Sequence, residues 1–137
     1  MGCDKVYRVS EGPWAGTAVR SIEYETLNAF GANVYNPRLD VIIKANDLCD
    51  RLGLDSISTS RSISFLMELA QRGIVDAADA DGLDLSWGRA DTILELVQRI
   101  ARREGVGAVL AEGVRRAAAQ IGRGAEQYAM EVKGCEM

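Results

Sequence analysis

The stretch Asp50-Arg51-Leu52-Gly53-Leu54-Asp55 sets one carboxylate near the end of a predicted helix, a glycine turn behind it, and a second carboxylate at the start of the next helix. Ionised carboxylates only accept hydrogen bonds. Two of them fixed at a corner therefore suit a ligand rich in N–H donors, such as a nitrogen heterocycle. Upstream, Ile22-Glu23-Tyr24-Glu25-Thr26 adds two more acids around a tyrosine. Spaced two apart on a helix, Glu23 and Glu25 point in different directions, so only one of them can face a cleft that the helix lines. A carboxylate there, with its pKa raised by burial, can work as a general acid or base. Plainer roles exist for each. Asp55 is a good N-cap, worth about 1 kcal/mol, and the glutamates suit a helix N-terminus. Asp50 falls at a helix C-terminus, where the dipole disfavours an anion by a few tenths of a kcal/mol, a small penalty that slightly favours a reason beyond capping.

What the chain lacks narrows the chemistry. It has no histidine, which removes the commonest general base, the commonest metal ligand and every Ser-His or Cys-His nucleophile. Its three cysteines, Cys3, Cys49 and Cys135, are far apart and form no CxxC. An odd count argues against a disulfide framework, and the chain alone lacks the thiolates for an iron–sulfur cluster. Cys49 lies on the apolar stripe of its helix, where a free cysteine is commonly a small core residue. The net charge is −4, with the basic residues scattered, so no nucleic-acid footprint is expected. No apolar run approaches the ~20 residues that span a bilayer, and the N-terminus carries no secretory pattern; the default expectation is a cytoplasmic protein that binds no membrane. Gly105-Val106-Gly107 lacks a third glycine and a preceding strand, and reads as a helix–helix turn rather than a phosphate loop.

At 137 residues the chain is long enough for one domain with a real core. Val6 to Ser10 alternates like a short strand and Glu11 to Gly16 is a turn. A helix is predicted from about Ile22 to Gly31. In the next, Asn36 is the expected N-cap, Pro37 the first helical residue and Gly53 the left-handed terminator. Asp55 or Ser56 caps a third helix to about Gly73, whose first turns are unusually rich in hydroxyls (Ser56, Ser58, Thr59, Ser60, Ser62). Such residues are poor helix formers, so packing or a ligand must support them. After a glycine- and aspartate-rich connection, Asp91 is the expected cap of a helix to about Glu104, with Thr92 and Glu95 as a capping box. A further helix is predicted from Ala108 to Ile121, then a short one near Ala125 and a strand-like Met130-Glu131-Val132. The expectation is an all-α, multi-helix bundle with short extended ends, in one domain over residues 1–137.

Taken in order, these segments resemble the tungsten-dependent aldehyde:ferredoxin oxidoreductase family. The matching pieces are Gly2-Cys3, Gly12-Pro13-Trp14-Ala15-Gly16, Glu23-Tyr24-Glu25-Thr26, Lys44 to Cys49, Asp50 to Asp55 with Ser56-Ile57-Ser58, Trp87-Gly88, Arg103 to Gly107, Leu110 to Val114, and Val132 to Glu136. They span nearly the whole chain, which is similar to a central slice, chiefly the middle helical domain, of a protein several times longer. The resemblance implies that Asp50, Gly53, Leu54 and Asp55 belong to a DxxGLD element whose acids contact a pterin. It implies that Glu25 lies near tungsten as a candidate for proton transfer while an aldehyde becomes an acid. It implies that Cys3 is the third cysteine of a CxxCxxxC motif for a 4Fe-4S cluster. The other cluster ligands and a second DxxGL(C/D) element would lie in other parts of the polypeptide, and Cys135 takes no cluster role. Some members bind iron at a dimer interface through ExxH; Lys44 falls in that region and no histidine exists, so no such site is expected.

In the full-length family the implied cofactors are a tungsten bis-pterin (the molybdopterin type) and the cluster, and the implied partners are the remaining domains, ferredoxin and a second subunit in a homodimer. The chain by itself is expected to bind neither cofactor and to be inactive. Tungsten against molybdenum, the substrate and the electron acceptor stay open. A different class of reading is a cofactor-free helical interaction module that self-associates through exposed apolar surface.

Overall fold

The computed structural model describes residues 5–137; Cys3 lies outside them. An antiparallel hairpin of β1 (Val6–Arg8) and β2 (Ala18–Arg20) pairs Val6 with Arg20 and Arg8 with Ala18. Six helices succeed it: α1 (Tyr24–Phe30), α2 (Leu39–Leu52), α3 (Ser56–Gln71), α4 (Ala90–Arg102), α5 (Val106–Leu110) and α6 (Val114–Ile121). A small hairpin of β3 (Glu131–Val132) and β4 (Cys135–Glu136) ends the chain. The helical class agrees with the reading of the sequence.

Most apolar side chains enter one core. Ile63, Leu66 and Leu69 of α3 meet Ile93, Leu96 and Val97 of α4, with Phe30, Val41, Leu110 and Ala117 around them. A smaller cluster of Val9, Val19, Ile22 and Ile43 seats the first hairpin. The α2 helix joins the two: Ile43 faces the hairpin cluster while Val41, Ile42, Ala45 and Cys49 face the main core. With apolar residues on both of those faces, α2 is held in register, which matters for whatever is mounted at its C-terminus.

Four local expectations fail, three of them to a partner farther along the chain. Asn36 does not cap α2. It is buried, its amide donates to Phe30 O at 2.9 Å and its oxygen accepts the Arg38 N–H at 3.1 Å. It thus ties the end of α1 to the entry of α2, which begins at Leu39 rather than Pro37. The Thr92–Glu95 capping box is absent, because the Thr92 hydroxyl donates to Asp84 O at 2.8 Å and Glu95 pairs with Arg99. Arg89, not Asp91, stands at the N-cap of α4. The helix expected over 108–121 is two helices, α5 and α6. Gly113 sits at φ +81, and the Glu136 carboxylate accepts the Val114 N–H at 3.0 Å, opening α6 afresh.

Serine is as good an N-cap as asparagine, but it has no amide to reach Phe30. Asn36→Ser is therefore expected to destabilise the chain about as much as Asn36→Ala, by about 1 kcal/mol or more, in urea unfolding. A wild-type midpoint for the serine variant would return Asn36 to a capping role.

Candidate functional site

The end of α2 is built by its own backbone. Gly53 adopts the left-handed conformation, φ +70 and ψ 33, and donates its N–H to Cys49 O. Leu54 N–H reaches the same carbonyl at 2.9 Å, the six-to-one bond of a Schellman turn. A non-glycine residue would pay about 1 kcal/mol for that backbone conformation. Leu54 packs, half-buried, against the main core. Asp55 is extended, and its Oδ1 accepts the Ser58 N–H at 2.7 Å, capping α3 as expected.

Two side-chain pairs at helical i,i+4 spacing brace this corner. Asn46 Nδ2 donates to Asp50 Oδ2 at 2.9 Å, and Arg51 Nε donates to Asp47 Oδ1 at 2.6 Å. Asp47 also accepts from Lys44 Nζ at 2.8 Å. Asn46 and Asp47 are buried whereas Asp50 and Asp55 are exposed. Each of the two exposed carboxylates has one oxygen engaged by the corner, leaving Asp50 Oδ1 and Asp55 Oδ2 to accept from outside. Burial alone pushes Asp47 up, but the bonds from Lys44 and Arg51 outweigh it and hold the carboxyl below its ordinary range. Beneath the corner the Cys49 thiol is pushed up to about 12, by burial first and then by the negative charges of Asp50 and Asp55. It is a protonated core group, as read from its place on the apolar stripe.

The hydroxyl-rich opening of α3 has two uses. Ser56 Oγ lies 2.7 Å from Thr26 Oγ1, and Ser60 Oγ donates to Ala29 O at 2.5 Å. This face of α3 therefore grips α1, bringing the Glu25 segment to the glycine corner. Thr26 is buried in that contact, while Glu23, Tyr24 and Glu25 are exposed. Ser58, Thr59 and Ser62 face instead into a cleft of about 290 Å³, walled by Asp55, Ile100 of α4 and the turn at 111–113. Asp55 lines this cleft; Asp50 and Glu25 do not. The cleft also holds Glu112, which pairs with Arg103 and Arg116 at 2.5 and 3.1 Å, and the capping Glu136. The bracing pairs could be foreseen from their spacing. Glu136 and the Thr26–Ser56 contact left no local signal.

Among the described residues no group of three or more His, Cys, Asp or Glu side chains is placed to hold a metal ion. No helix among them is long and apolar enough to cross a membrane. The corner presents hydrogen-bond acceptors on a rigid turn.

The family model for aldehyde ferredoxin oxidoreductase, domains 2 and 3, matches residues 1–137. The chain belongs to the aldehyde ferredoxin oxidoreductase family. It is 38% identical, over 143 aligned residues, to the tungsten-containing aldehyde ferredoxin oxidoreductase of Pyrococcus furiosus, matching all of this chain and 22% of that protein. The namesake from Thermococcus kodakarensis is 35% identical with the same coverage. An aliphatic sulfonate oxidoreductase, WOR-like subunit, from Pyrococcus furiosus is 36% identical over 138 residues, 98% of this chain and 22% of that one. In three dimensions the chain resembles the active-site complex BamBC of benzoyl coenzyme A reductase, solved with 1,5-dienoyl-CoA. The TM-score is 0.77 at 27% identity, covering 96% of this chain and 19% of that chain. The chain thus spans about a fifth of the length of these aldehyde ferredoxin oxidoreductase relatives, and corresponds to a helical part of a larger enzyme.

Within this family member, stability linked to Asp47 reports on the brace. Its folded-state pKa lies below the ordinary 3.8, so the stabilisation is complete above that value and is lost as pH falls through the folded value. Asp47→Asn is expected to lose about 1 kcal/mol at pH 7, the same at pH 5, and less at pH 3. Chemical unfolding at the three values checks this; a gap that is constant or widens toward pH 3 would contradict it.

Proposed function

We propose that this chain is the helical, cofactor-facing domain, over residues 1–137, of a tungstopterin oxidoreductase that converts aldehydes to carboxylic acids with ferredoxin as acceptor. The observation that supports it most is the glycine corner, where two exposed carboxylates are braced with one oxygen each left to accept. A pterin carries amino and ring N–H donors, so the acceptor set here fits that group by chemistry.

Asp50 and Asp55 would hold the pterin through those N–H groups, with Gly53 keeping the turn tight and Leu54 anchoring it to the core. Nothing lies within 4 Å of where a Gly53 side chain would begin, so a flat ring can approach the backbone there. Oxidation of an aldehyde to its carboxylate takes up one water and releases two electrons and three protons. Glu25, exposed at the first turn of α1 and tied to the corner through Thr26 and Ser56, would take one of those protons. When bound, the bis-pterin tungsten would supply the two-electron chemistry, and Cys3 would be one ligand of a 4Fe-4S cluster that would supply the electron outlet. Tyr24 and Leu52, 75% and 39% exposed beside these acids, offer apolar surface for the remaining domains or a second subunit. That same surface supports the alternative of a self-associating module without cofactor.

A chimera separates these readings: this chain grafted in place of the matching segment of the Pyrococcus furiosus enzyme. Asp50→Ala with Asp55→Ala is expected to lower tungsten and pterin content together, by at least tenfold. Glu25→Gln should leave both contents intact and lower kcat at least a hundredfold. Full tungsten and pterin in the aspartate variant would refute the assignment of the corner, and an unchanged kcat in the glutamine variant that of Glu25.

A further inference from the structure

Two buried polar atoms of the described residues find no hydrogen-bond partner, Asn33 Nδ2 and Arg61 Nε, and they belong to side chains bonded to each other. Arg61, on α3, donates Nη1–H to Asn33 Oδ1 at 2.5 Å. With its oxygen on the guanidinium, the Asn33 carboxamide is left with its N–H donors unused. None of the ion pairs among the described residues reaches Arg61, although the residue is half-buried. Unmatched buried donors are costly, and native proteins keep few of them. Here two occur on adjoining side chains, one of them a guanidinium with no ion-pair partner among the described residues.

Both side chains line one cleft of about 410 Å³, whose walls include Phe65, Trp87, Tyr128 and Met130. That volume lies in the range of small-molecule sites, which combine apolar walls with a few convergent polar groups. The walls are held in place. Trp87 Nε1 donates to Gln71 at 2.7 Å and its ring meets that of Tyr35 at 5.5 Å, while the Arg72 guanidinium covers Tyr128 at 4.1 Å. Glu68 also borders the cleft, but its carboxylate is engaged by Arg72 at 2.8 and 3.0 Å. It also sits two helical turns from Arg61, roughly 10 Å along α3. The group that complements this place has acceptors only, a negative charge that meets the planar guanidinium fork, and a flat apolar body. A multiply charged, strongly hydrated inorganic anion would leave the ring walls unused.

We propose that the Arg61–Asn33 cleft is a carboxylate-binding site for a small aromatic acid. The guanidinium and the Asn33 amide donate to its carboxylate, and the Phe65, Trp87 and Tyr128 rings cover its body.

The test is an NMR titration of the full 137-residue chain with phenylacetate, read at the Arg61 Nε–H and the Trp87 indole N–H. Saturable shifts at both are expected, with phenylacetamide, which lacks the charge, binding at least tenfold more weakly. Arg61→Gln should abolish binding. Because that variant can also disturb folding, Asn33→Asp serves as the second: it sets a carboxylate against Arg61 from within the chain. It should keep or raise the melting temperature while weakening phenylacetate at least tenfold. No saturable shift with phenylacetate, equal affinity for the amide, or undiminished binding by Asn33→Asp would each overturn the proposal.

Discussion

A single carbonyl organises the corner to which the proposed pterin contacts are assigned. Cys49 O accepts the N–H groups of both Gly53 and Leu54 around a left-handed glycine, which halts α2 and redirects the chain into α3 within three residues. Everything mounted there inherits that geometry. Asp50 stands on the last turn of α2 before the halt, and Asp55 is the residue that caps α3 beyond it. Since α2 packs on two apolar clusters at once, the corner cannot shift without disturbing the core. A pair of acceptors proposed to meet a rigid heterocycle would benefit from such a mount, because little ordering would remain to be done on binding.

The same corner accounts for a sequence feature that is otherwise costly. Five hydroxyl residues in the first two turns of a helix weaken it intrinsically. In the fold they divide by face, with Ser56 and Ser60 bonded to α1 and Ser58, Thr59 and Ser62 lining a cleft. The helix exchanges intrinsic propensity for contacts that join the Glu25 segment to the glycine corner. Two stretches about thirty residues apart along the chain are thus joined in the fold.

Features governed by neighbours in sequence were legible before any coordinates. The Gly53 terminator, the Asp55 cap, the apolar face of α4 and the buried character of Cys49 come from local chemistry and helical period. Features governed by distant partners were not. Asn36 has every local mark of an N-cap, yet Phe30 O claims its amide. The break between α5 and α6 depends on Glu136, 22 residues beyond the amide it caps. Arg61 and Asn33, 28 residues apart, read as two ordinary polar residues until the fold sets them together. Of the candidate site, the acids could be named from sequence; what braces them, and that Asp55 alone of the three lines the cleft, required the structure.

The central claim is that the corner is prebuilt by the chain's own hydrogen bonds and does not wait for a ligand to form it. Native-state hydrogen exchange of the ligand-free chain tests this directly at two amides, Leu54 N–H bonded to Cys49 O and Ser58 N–H bonded to Asp55 Oδ1. Both are expected to exchange at least about a hundredfold more slowly than unstructured amides. Exchange of either at the unprotected rate, while the interior amides of α2 and α3 stay protected, would contradict the account.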